Sequence, residues 1–134
     1  MSCRKLSIRR FVGVILCELP IALAVACALW GRVVPLSPAA MGGVLVSLAI
    51  LVGCLNLYLA YLRPWRYRRK WGSLEGYRFV SGLPLVGTLF QVAGCLVAFG
   101  NPTVGFIGCL AGLLDTGGLP WFPVLTWKDR SLWG

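Results

Sequence analysis

Histidine is absent from the 134 residues, and the acidic residues number four. Without imidazole the chain lacks the usual general base and the commonest metal ligand, so familiar triads and zinc sites are excluded. Charge of either sign is scarce outside a few clusters. Asp, Glu, Lys and Arg make up 13% of the sequence against 58% hydrophobic residues, a balance outside the range of soluble folds. No C-x-x-C pair occurs among Cys3, Cys17, Cys27, Cys54, Cys95 and Cys109. Five of these lie in apolar stretches, where a thiol acts as a small hydrophobe, so neither a disulfide framework nor a redox motif is expected. Ser73 and Ser81 have no G-x-S-x-G context. The sequence therefore reads as non-enzymatic, with no catalytic group, metal or cofactor.

What is present is a set of apolar runs near 20 residues long, about enough to cross a ~30 Å hydrocarbon core. They predict a single all-α membrane domain over 1–134, a bundle of four transmembrane helices at about 11–30, 39–62, 82–99 and 103–125. The first run follows Arg4, Lys5, Arg9 and Arg10 as a signal peptide would. Its length, with Glu18 and Pro20 inside it, favours a retained helix. The fourth is interrupted near Asp115 to Pro120, where two glycines and a proline oppose a continuous helix.

Twelve of the thirteen Lys and Arg residues lie in the N-terminal segment, in the loop at 63–78 and at the C-terminus; Arg32 stands alone on the other side. That bias predicts both termini in the cytoplasm. The loop interleaves Trp65, Tyr67 and Trp71 with Arg66, Arg68, Arg69 and Lys70. Such a mixture can bind nucleic acid, but at the mouth of two helices it reads as an anchor touching anionic headgroups, with no nucleic-acid partner.

Each span holds one strongly polar residue, Glu18, Asn56, Gln91 or Asp115, six to ten residues inside its cytoplasmic end. At helical rise that is roughly 9 to 15 Å, so the four predict one layer. Small residues share their faces: Ala22 and Ala26 with Glu18; Ala49, Gly53 and Ala60 with Asn56; Gly87, Gly94 and Ala98 with Gln91; Gly105, Gly108 and Gly112 with Asp115. These faces predict close helix approach, either within the bundle or to a docking partner helix. The layer itself has two readings. One is a coupled Glu18 and Asp115 site for protons or a cationic substrate; the other is a structural network that fixes helix register.

From about Phe79 onward the chain resembles small membrane-embedded immunity proteins of bacterial interbacterial toxin systems, including those paired with type VI secretion effectors. The residues that carry the resemblance are Val80-Ser81-Gly82-Leu83-Pro84-Leu85-Val86-Gly87, then a glycine-spaced helix and Pro102, then Leu113-Leu114-Asp115-Thr116-Gly117-Gly118-Leu119-Pro120-Trp121. The resemblance implies a protein of the bacterial inner membrane that binds and neutralises a membrane-acting, pore-forming toxin. It leaves room for a homo-oligomer. A second resemblance is to small multidrug resistance transporters, in which a glutamate of the first helix exchanges protons for cationic drugs; Glu18 would take that role. The surroundings Ile15-Leu16-Cys17-Glu18-Leu19-Pro20 depart from that family, and the charge bias does not suit members that insert in both orientations. An accessory subunit of a membrane complex is the third reading.

Overall fold

The structure is a computed structural model that describes residues 2–80 and 82–127, with side chains from residue 10 onward. Ser81, Lys128 and Arg130 lie outside the described residues, as do the side chains of Cys3, Arg4, Lys5 and Arg9. The regular structure of the described residues is all helical, with no strand among them. Its elements are α1 (Ser2–Leu29), α2 (Leu36–Leu57), a π-helical turn (Tyr58–Leu62), α3 (Arg63–Trp71), α4 (Val86–Val97), α5 (Pro102–Leu114) and α6 (Trp121–Thr126).

Proline and asparagine set several of the boundaries. Pro102 opens α5 at a position where a missing N–H is harmless, and Asn101 caps it by accepting hydrogen bonds from the Thr103 and Val104 amides at 3.0 and 3.2 Å. At Pro64 the helix continues instead of stopping. Proline offers no N–H to the carbonyl four residues back and crowds it; widening the preceding turn, so that the Arg63 amide bonds Tyr58 oxygen, relieves that conflict. The result is one helical rod of 36 residues from Leu36 to Trp71.

The first nine residues of the expected basic loop are therefore helix α3. Gly72 ends it in the left-handed conformation, φ 76°, with its amide on Arg68 oxygen at 2.8 Å. The third span is also shorter than expected: residues 82–85 are not helical, and α4 begins at Val86. After α5 the chain breaks at 115–120 before α6, the interruption expected near Asp115 to Pro120.

Helices α4 and α5 pack on each other and lie between α1 and α2, and α6 rests on α1. The core they enclose is built of small side chains, Ala24, Cys27, Val46, Cys95, Ala98 and Val104. Small residues bring helix axes close together at the expense of buried apolar volume. Large apolar residues point outward instead, among them Phe11, Leu16, Val44, Leu51, Leu89 and Phe106. Two segments, Arg10–Leu29 and Leu36–Trp71, are long and apolar enough to cross a membrane, and in each just 22% of the apolar window is buried.

Candidate functional site: a buried polar knot

With 12 and 13 residues, α4 and α5 are roughly 18 and 20 Å long, each short of a hydrocarbon core. The non-helical segments 82–85 and 115–120 lie beside α2, and their backbone groups need partners from side chains. Asn56 is the main one. Its Oδ1 accepts from the Leu83 amide at 2.8 Å, and its Nδ2 donates both to the Leu83 carbonyl at 3.1 Å and to Asp115 Oδ1 at 2.6 Å. One amide side chain thus ties α2 to both irregular segments.

The knot is closed by two further bonds. The Leu85 amide donates to Gly117 oxygen at 3.2 Å, and Thr88 Oγ1 accepts from the Leu119 amide at 3.3 Å. Asp115 itself is 1% exposed, and its Oδ2 is buried without a hydrogen-bond partner among the described residues. Absent side chains make the room for it: a Cβ on Gly87 would collide with Oδ2, and one on Gly118 would lie 2.8 Å from it.

Leu85, at the entry to α4, holds φ 64°, a left-handed conformation unfavourable for a side chain. Its side chain is 46% exposed, so little packing is at stake. Leu85→Gly is expected to leave stability unchanged or raise it by up to about 1 kcal/mol, and Leu85→Val to lower it, in detergent unfolding curves. A loss with glycine equal to the loss with valine would show that the side chain, not the backbone, matters there.

Three of the four polar residues are buried as expected: Asn56, Gln91 and Asp115. Gln91 sits apart from the knot, donating to Pro20 oxygen at 3.3 Å, with its Oε1 unpartnered among the described residues. Glu18 is half-buried and makes no hydrogen bond or ion pair among the described residues, so no bond joins it to Asp115. The buried line of α1 is Cys17, Pro20, Ala24 and Cys27; the Glu18 face is rotated off it, leaving Ala22 exposed. Ala60 is likewise turned outward, at the π-helical turn.

The glycine faces are filled by the chain itself. Gly94 meets Val46 and the Gly42 carbonyl, Gly105 meets the Ala24 and Ala28 backbone, Gly108 meets Cys95 and Ala24, and Gly112 meets Gln91 and Ile21. Gly87 faces Asp115. None of these five seams is left open for a partner helix.

Beyond the C-terminal end of α2, the expected anchor residues are distributed around α3. Arg66 and Lys70 line a cleft with Arg63 and Arg78 and a second one with Trp65 and Arg69; Arg69 stacks over the Trp65 ring at 5.4 Å, and Arg68 is exposed and lines neither. Sequence reasoning missed Leu83, Leu85 and Thr88. The interruption at Gly82-Leu83-Pro84 was the available signal, because backbone that leaves a helix inside an apolar segment requires polar partners. No family model matches the chain, and no curated protein or solved structure matches it.

Proposed function

We propose that this chain is a non-enzymatic, four-span protein of the bacterial inner membrane, both termini cytoplasmic, that acts as an immunity protein against a membrane-acting toxin. The membrane part is supported by the outward apolar side chains of α1 and α2 and by the knot, which supplies hydrogen bonds to irregular backbone that lipid would leave unsatisfied. The charge bias supplies the orientation.

One observation carries the functional part. Two of the segments on which the immunity resemblance rests meet around Asn56, which bonds Leu83 in the first and Asp115 in the second, while the Leu85 amide bonds Gly117 oxygen. The shared residues thus have a physical task, setting the bundle's shape, and chains that share them are expected to present similar outer surfaces. Since the glycine seams are filled, the partner meets the outer surface of the bundle rather than a groove within it.

The test is co-expression with any membrane-acting toxin found encoded beside this chain, read as survival and membrane potential, with membrane levels of each variant checked. Wild-type chain is expected to protect. Glu18→Gln is expected to protect equally, because capture needs no exchangeable proton; a transporter would lose coupled export in that variant. Absence of protection by correctly inserted wild-type chain sinks the immunity reading.

A further inference from the structure

We propose that the basic aromatic cleft between α3 and the returning segment 76–78 is a binding site for the headgroup of a lipid that carries two phosphates. The inference rests on the membrane reading above, and it concerns a site distinct from the knot.

Helical spacing builds one wall. Arg63, Arg66, Tyr67, Lys70 and Trp71 follow one another at intervals that return to the same face of α3. The opposite wall comes from the turn after Gly72. The Tyr67 hydroxyl donates to the Glu75 carbonyl at 3.5 Å, and Tyr77 packs on Tyr67 with ring centroids 5.0 Å apart. This return brings Tyr77 and Arg78 over the helix and forms the far wall of an open cleft of about 530 Å³.

Three observations specify the ligand. Arg63, Arg66, Lys70 and Arg78 all line the cleft, no carboxylate does, and none of the four forms an ion pair among the described residues. Four uncompensated cations in one cleft exceed the single charge of one phosphodiester and suit a headgroup with two. Arginine forks match phosphate oxygens in pairs. Second, the Tyr77 hydroxyl is buried without a hydrogen-bond partner among the described residues, beside the cleft that Tyr77 lines. Third, the cleft opens beside Tyr58, where the apolar stretch ends, and Leu51, Leu55 and Leu62 lie exposed on the preceding turns. A headgroup seated in the cleft can lay its acyl chains along that apolar surface. A freely soluble diphosphate would gain nothing from it.

Arg63 is already held over the Tyr77 ring at 5.8 Å and Lys70 over Trp71 at 5.4 Å, so part of the site is ordered before a ligand arrives.

The experiment is titration of the full-length protein, in phosphatidylcholine nanodiscs, with cardiolipin, phosphatidylglycerol or inorganic pyrophosphate, read by native mass spectrometry. Cardiolipin is expected to bind as one molecule per chain, ahead of phosphatidylglycerol. Arg63→Gln with Arg78→Gln is expected to weaken it about 30-fold, from roughly 1 kcal/mol per basic group. The charge-matched pair Arg68→Gln with Arg69→Gln lies outside the cleft and is expected to cost less than about 3-fold. Tyr77→Phe is expected to weaken binding with unchanged melting. Equal losses in the two charge-matched pairs would overturn the proposal in favour of a diffuse anchor. Pyrophosphate binding without cardiolipin binding would overturn the lipid assignment. Failure of the membrane reading would show separately, as chain recovered in the soluble fraction of lysed cells.

Discussion

Asn56→Leu is expected to lower the stability of the solubilised bundle by about 3 to 5 kcal/mol. Leucine has the branching of asparagine, so the change removes hydrogen bonds without opening a large cavity. Three bonds go at once, and they leave the Leu83 amide, the Leu83 carbonyl and Asp115 Oδ1 without this partner. An isolated interhelical hydrogen bond in lipid is worth roughly 0.6 kcal/mol and at most about 1.7, because the separated helices find other partners. On the membrane reading, the Leu83 backbone groups have no such recourse. Gln91→Leu provides the comparison: it removes one 3.3 Å bond to a carbonyl and is expected to cost about 1 kcal/mol. Thermal or denaturant unfolding in detergent checks both. If Asn56→Leu melts no lower than Gln91→Leu, the knot is not what holds the irregular segments.

The second large effect separates two adjacent glycines. A Cβ on Gly42 would lie 2.5 Å from Ala98 Cβ and 2.9 Å from Gly94 oxygen, whereas one on Gly43 would meet nothing within 4 Å. Gly42→Ala must push α2 from α4 and is expected to cost about 2 to 3 kcal/mol. Gly43→Ala merely removes the entropy of a helical glycine and is expected to stabilise by roughly 0.5 to 1 kcal/mol. Gly105→Ala belongs with Gly42→Ala, since its Cβ would strike the Ala28 backbone, which cannot swing aside as a side chain can. The same unfolding curves decide the matter: matching effects at positions 42 and 43 would mean that α2 and α4 are not in this register.

Much of this arrangement is legible in the sequence, and the exceptions have physical reasons. Counting residues from the ends of the apolar runs gives depth, while the burial of Asn56, Gln91 and Asp115 also depends on which way each helix is turned. Depth says nothing about rotation. Glu18 has the right depth but sits one residue from the buried Cys17, about 100° around the helix, and so misses the centre. The glycine faces of α4 and α5 are read correctly because three or four small residues in line fix the rotation: Gly87, Gln91, Gly94 and Ala98 are buried together, as are Gly105, Gly108 and Gly112. The helical state of residues 63–71 is hidden by Pro64, which reads as a stop unless a π-helical turn precedes it. The bonds of Asn56 to Leu83 span 27 positions in sequence, beyond any periodicity argument.

The central claim, a four-span membrane bundle with both ends inside, is tested most directly by cysteine labelling on a cysteine-free background. Ser37 and Glu75 are both exposed and lie at opposite ends of the long Leu36–Trp71 rod or just beyond it. Ser37→Cys is expected to react with an impermeant maleimide in intact spheroplasts, and Glu75→Cys and Ser131→Cys only after permeabilisation. Labelling of Ser131→Cys in intact spheroplasts would contradict the even number of spans, and labelling of Glu75→Cys from outside would contradict the orientation itself.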